Sequence, residues 1–147
     1  MTSNVEPFLL RTASPSDATG VAALVTQLGY PTAPAEMRGR LERLLTHPEH
    51  SMVVAEAEGE VVGLVAAQLG YALEFDGVYC RINGLVVDAQ WRGRGLGTRL
   101  MRHMESWSKE RGAQSLLLTS GNHRTEAHRF YETLGFNATG LRFIKRL

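Results

Sequence analysis

Leu85-Val86-Val87-Asp88-Ala89-Gln90-Trp91-Arg92-Gly93-Arg94-Gly95-Leu96-Gly97-Thr98 decides how this chain folds. An apolar strand end runs into three glycines that alternate with Arg94 and Leu96. A helix follows, with Leu96, Leu100, Met104 and Trp107 as its buried stripe and Gly112 as its stop. Glycine permits unusual backbone angles and leaves room for a ligand. The first turn of the helix offers free N–H groups and the positive end of its dipole. Arg92 and Arg94 add guanidinium forks suited to phosphate. The segment therefore reads as a phosphate or pyrophosphate site. It is neither a Walker turn, which needs Gly-Lys-Ser/Thr, nor a dinucleotide fingerprint, because position 98 is Thr98 and not glycine. A plain helix start with solvent-facing arginines remains the alternative from the turn alone.

Working outward, the strand before this turn spans Tyr79 to Val87, and Leu116-Leu117-Leu118 reads as a short strand covered on both faces. These two strands and the helix between them make one parallel crossover. Upstream, Phe8–Arg11 is a first strand. Ser14-Pro15-Ser16-Asp17 starts a helix through Val21, Leu24, Val25 and Leu28, which Gly29-Tyr30-Pro31 stops. A second helix begins near Pro34 and carries Met37, Leu41, Leu44 and Leu45. Met52–Glu56 and Val61–Leu69 form a hairpin across Glu58-Gly59-Glu60. Downstream, a helix from about Thr125 to Leu134 ends at Gly135, and a final strand region begins at Phe136, with Phe143 and Ile144 near its end. The expected fold is a mixed α/β (α+β) domain over residues 1–147.

Composition narrows the function. The chain has 147 residues and 44% hydrophobic residues, enough for one core. Its 16 Lys plus Arg nearly balance 15 Asp plus Glu, which argues against bulk nucleic-acid binding. Cys80 is the sole cysteine, so no intrachain disulfide forms, as suits a reducing compartment. The N-terminus, Met1 to Pro7, is polar, and no apolar run approaches the ~18 residues of a membrane helix. The sequence reads as a soluble, cytoplasmic protein with no membrane partner. His123 and His128 have no acidic or cysteine company, so no metal site is expected.

Arg92, Gly95 and Gly97, following Leu85-Val86-Val87, resemble the acetyl-coenzyme A turn of the GNAT superfamily of N-acetyltransferases. Ala127, Tyr131 and Gly135-Phe136 match that family's later motif. The spacing of the two motifs and the upstream order of elements also agree, so the resemblance covers nearly the whole chain. It implies a mostly antiparallel sheet, helices on both faces and a splayed parallel strand pair. It also implies acetyl-CoA as donor, a small-molecule or peptide amine as acceptor, and direct attack in a ternary complex. The backbone of Leu85, Val86 and Val87 would pair with the pantetheine amides. The N–H groups of Gly93, Arg94, Gly95, Leu96, Gly97 and Thr98 would cradle the pyrophosphate. Tyr131 would be the general acid.

Two positions depart from the family pattern. Arg124 stands where many members have a cofactor-contacting Asn, and Asn83 where many have a Glu acting as base through water. An amide takes no proton at neutral pH, so Asn83 would hold a relaying water, or Glu74 would supply the carboxylate. Glu74 and Tyr30 are the candidate acceptor contacts. Packing alone is the alternative for Tyr131, beside the Ala127, Phe130, Leu134 stripe. A different acyl donor and a non-catalytic acyl-CoA sensor are the other functional readings. A homodimer is compatible with the sequence.

Overall fold

The computed structural model describes residues 7–147; the polar stretch before Pro7 lies outside them. The chain separates into two compact units, one reaching to Leu117 and the other spanning Leu118–Leu147. The first unit holds β1 (Leu9–Thr12), α1 (Ala18–Leu28), α2 (Pro34–Leu44), β2 (His50–Ala57), β3 (Glu60–Tyr71), β4 (Val78–Val87), α3 (Leu96–Glu110) and β5 (Ala113–Leu117). The second holds α4 (Thr125–Thr133).

The strands lie in the order β1-β2-β3-β4-β5. Neighbours run antiparallel except for β4 and β5, which are parallel. Alternation along the strands separates two buried faces. Met52, Val54, Leu64 and Val86 pack with Val21, Ala22 and Leu24 of α1 and Met37 and Leu41 of α2. On the opposite face α3 buries Leu96, Leu100, Met101 and Met104. A Cβ on Gly63 would sit 3.0 Å from Leu96 and 3.1 Å from Leu100, so this glycine lets the start of α3 lie close on the sheet. Truncating Leu100, fully buried here, would cost about 2–5 kcal/mol by the usual cavity scale.

Arg11 locks the entry to α1. Its guanidinium donates to both oxygens of Asp17 at 2.8 and 2.9 Å and to Glu56 at 2.9 Å. Asp17 also accepts the Ser14 N–H at 2.8 Å. The Arg11 hydrogen bonds hold the Asp17 carboxyl below the usual carboxylate range, against the opposing effect of burial.

Two expectations change. The fifth strand is Ala113–Leu117, not Leu116–Leu118, and it is an edge strand with Leu117 39% exposed. Gln114 and Ser115 break the apolar pattern, yet the strand runs through both: Ser115 pairs with Tyr79 of β4, and Gln114 is the extra residue where the register shifts. No strand forms among residues 136–147. Phe143 and Ile144 are exposed there, because alternation creates a strand only where a neighbouring ladder takes up its N–H and C=O groups.

Candidate functional site

The parallel ladder between β4 and β5 pairs Val78 with Ala113, Tyr79 with Ser115, Cys80 with Leu116 and Arg81 with Leu117, and stops there. Past Arg81, β4 continues for six residues paired only with β3. Among the described residues, the other edge of Asn83–Val87 therefore carries no strand partner. An edge of free N–H and C=O groups accepts an extended ligand as an added strand. Leu85, Val86 and Val87 lie on it.

A bulge marks where this edge begins. Ala66 pairs with Gly84 and Ala67 with Ile82, which leaves Asn83 as the extra residue of β4. Asn83 is exposed, and its Nδ2 donates to Oε1 of Gln68 on β3 at 3.0 Å. The position that the family pattern gives to a Glu thus holds an amide with its own carbonyl oxygen left over.

The open edge runs directly into the glycine turn. Asp88 caps the short 3-10 turn Ala89–Trp91, accepting the Gln90 N–H at 3.0 Å. Gln27 at the end of α1 clamps this turn: its Nε2 donates to Asp88 at 2.8 Å and its Oε1 accepts the Ala89 N–H at 3.2 Å. Gly93 and Gly95 then take left-handed φ angles of 76° and 81°. A Cβ at either position would meet nothing within 4 Å, so the need for glycine here is conformational. Gly95 is the N-cap of the 15-residue α3, whose first N–H groups belong to Leu96, Gly97 and Thr98. The Arg94 guanidinium lies 4.6 Å from the centre of the Trp91 ring, and Arg92 Nε donates to the Val87 carbonyl at 3.3 Å. The N–H groups at the start of α3 and the positive end of its dipole are the features of a helix N-terminus that favour an anion, and Arg92 and Arg94 lie in the same turn.

The acceptor-side candidates are spread out. Tyr30 is 63% exposed in the turn between α1 and α2. Glu74 is exposed in the β3–β4 loop, which Ala72 N–H to Gly77 C=O and Gln114 Nε2 to Asp76 C=O hold at the hairpin tip. Asn83 is five residue steps along β4 from Val78, roughly 17 Å, so the structure does not bring Glu74 beside Asn83.

In the second unit Arg124 is the N-cap of α4, and Tyr131 lies two turns further on, between the rings of Phe130 (5.5 Å) and Phe136 (5.8 Å). Burial pushes the Tyr131 phenol above its ordinary pKa, and the Arg124 charge partly opposes this. The hydroxyl is therefore protonated throughout the neutral range and able to donate. Among the described residues, no group of three or more metal-ligating side chains occurs and no helix is long and apolar enough to cross a membrane.

Sequence reasoning missed Gln27, Gln68 and Trp91. None belongs to a periodic pattern; register and packing bring Gln27 and Gln68 to the site, while Trp91 stands in the turn itself and its ring contact with Arg94 is not visible in the sequence.

Comparison with known proteins agrees with this geometry. The model of the acetyltransferase (GNAT) family matches residues 21–136. The aminoalkylphosphonate N-acetyltransferase of Salmonella typhimurium is 30% identical over 94% of this chain and 90% of its own length. A GNAT family acetyltransferase of Staphylococcus aureus superposes with a TM-score of 0.82 at 25% identity, covering 97% of this chain and all of that one. The aminoglycoside N-acetyltransferase AAC(6')-Iy, solved in complex with CoA, gives 0.85 at 18% identity over 100% and 99% of the two chains, a likeness of fold. A strand edge open from Asn83, a left-handed glycine turn and a helix N-terminus follow one another along the chain. The chain belongs to the GNAT family and is an acetyl-CoA-dependent N-acetyltransferase.

Proposed function

We propose that the protein transfers acetyl directly to a small primary amine, with both substrates bound at once. The observation that carries this reading is the single continuous track formed by the open β4 edge, the glycine turn and the start of α3. Acetyl-CoA supplies the activated acyl group. Leu85, Val86 and Val87 hold its pantetheine arm by main-chain hydrogen bonds. The amides from Gly93 to Thr98, with Arg92 and Arg94, hold its pyrophosphate. Arg124, in the place of the family's Asn, gives a further cofactor contact.

Three side chains serve the chemistry. Tyr131 is the general acid for the leaving thiolate; a phenol holds its proton at neutral pH, and burial raises its pKa further. Asn83 holds a water that passes the amine's proton to solvent. Tyr30 flanks the acceptor. Glu74 is the alternative base, and its distance along the hairpin favours Asn83. The Salmonella relative is named for aminoalkylphosphonates, which supports a small-molecule acceptor over a peptide, a nucleic acid or a lipid surface.

The test is steady release of free thiol from acetyl-CoA across a library of amines. Turnover with small primary amines is the expected result. Thiol release that no amine stimulates, or that only peptides stimulate, would overturn the reading.

A further inference from the structure

We propose that Arg81 and Gln68 bind an oxyanion on the acceptor, so that the preferred substrates are short primary amines carrying a carboxylate, phosphonate or phosphate. This rests on the small-amine reading above.

Strand alternation and register build the site. Cys80 is fully buried and hydrogen-bonds with Ser108 of α3, so Tyr79 and Arg81 face the other side of the sheet. That side is shared with α1 and α2, which cover Met52, Leu64 and Val86. Two residues beyond Met52 and Ala66 the face turns polar. His50 on β2 pairs with Gln68 on β3, and Gln68 pairs with Arg81 on β4. The three form one row across the sheet, spanning about 10 Å at ordinary strand spacing. Tyr79 lies alongside: a Cβ on Gly70, its register partner, would sit 2.6 Å from the tyrosine ring. The polar row borders a packed apolar face, and its Gln68 and Arg81 are both half-buried.

The hydrogen bonds specify the ligand. Gln68 uses its Oε1 to accept from Asn83 Nδ2, which orients the amide and leaves Gln68 Nε2 as a free donor. Half-buried Arg81 has no ion-pair partner among the described residues, and the row holds no carboxylate. A guanidinium beside an amide donor is an oxyanion receptor. Asn83 stands two residues further along β4, about 7 Å away by strand rise, and offers its Oδ1 to an ammonium or amine. Two donors beside one acceptor at that spacing fit a zwitterion whose amine and oxyanion are joined by a short carbon spacer.

The experiment compares kcat/KM for 2-aminoethylphosphonate and β-alanine with that for propylamine, in the wild type, Arg81→Met and Arg81→Lys. The wild type should prefer the anionic amines by about 10- to 100-fold, the scale of a charge-assisted contact. Arg81→Met should reduce that ratio at least tenfold, and Arg81→Lys should restore part of it, while KM for acetyl-CoA stays constant. A ratio near one in the wild type, or a ratio unchanged by Arg81→Met, would overturn the proposal and leave the small-amine reading standing. A ratio is insensitive to partial misfolding, so loss of folded protein does not imitate the expected result. Absence of thiol release with every amine would instead overturn the small-amine reading, and this proposal with it.

Discussion

The two halves of the site are made of different material. The proposed donor side is main chain: an unpaired strand edge, two left-handed glycines and the amides at the start of α3. The proposed acceptor side is side chain: Asn83, Gln68 and Arg81 on adjacent strands of an intact sheet. A main-chain site constrains which residues the backbone permits and in what order, so it is written as a motif. A side-chain site can change its residues while the strands stay where they are. One half can therefore remain constant while the other follows a new acceptor.

The largest effect should come from Tyr131, the side chain assigned to the leaving group. Tyr131→Phe keeps the ring between Phe130 and Phe136 and removes only the hydroxyl. Positioned proton transfer contributes ~100- to 10,000-fold, so turnover should fall within that range while affinity for CoA changes little. The pH profile sharpens the point. The acid works in its protonated form, and a raised pKa carries that form upward, so the wild-type rate should not fall on account of Tyr131 until above the ordinary value of about 10. That limb should be missing in Tyr131→Phe. A loss of only about threefold, far below the usual general-acid scale, would mark the residue as packing.

The main-chain half is tested by a pair of variants at Gly95. Asn and Asp both tolerate its left-handed φ better than other residues and are nearly equal in size. Gly95→Asn thus reports the strain alone, and Gly95→Asp adds a negative charge beside the expected pyrophosphate. Calorimetric titration with CoA should show Gly95→Asp binding at least tenfold, about 1.4 kcal/mol, more weakly than wild type, and more weakly than Gly95→Asn. Equal affinities for the two folded variants would break the assignment of the turn.

The same division explains what could be read from the sequence. β4, the turn and α3 were legible because apolar runs, glycines and a helical period are local signals. Gly63 beneath Leu96, the Gln27 clamp on Asp88 and the row from His50 to Arg81 depend on register between distant segments, which a single sequence does not display. The ends of the sheet were misread for a related reason. Leu116 to Leu118 forms the most apolar run of its region, but the ladder to β4 sets the strand at Ala113–Leu117. Phe143 and Ile144 have strand-like composition and no ladder to join among the described residues.

A smaller effect is expected at Asn83 itself. Asn83→Ala removes one exposed hydrogen-bonding amide and releases Gln68. Loss of a single neutral hydrogen bond corresponds to about 2- to 12-fold, and kcat/KM should fall within that span. Across acceptors of different basicity, the acidic limb of the rate profile should track the acceptor's own pKa, because a water relay adds no titrating protein group. An acidic limb fixed at one pH for every acceptor would show that a protein carboxylate takes the proton.

The smallest effect belongs to Glu74, and its argument is geometric. A general base must come within about 3 Å of the proton it removes, or reach it through one water. Glu74 is exposed at the tip of the β3–β4 hairpin, and the hydrogen bonds of Ala72 and Gln114 hold its loop there. Asn83 is five residues down the strand from the end of that loop, roughly 17 Å by strand rise, so one water does not bridge the gap. A loop carboxylate is also held less firmly than a strand residue, which weakens positioning further. Glu74→Gln keeps the size of the side chain, removes its charge and turns one acceptor oxygen into an NH2 donor. Its kcat/KM should stay within about threefold of wild type at every acceptor pKa, well under the ~100-fold floor for losing a general base. A loss of ~100-fold or more with acceptor binding intact would move the base from the strand to the loop. The acceptor half would then owe its chemistry to the β3–β4 loop, and Asn83 would keep only the task of orienting Gln68.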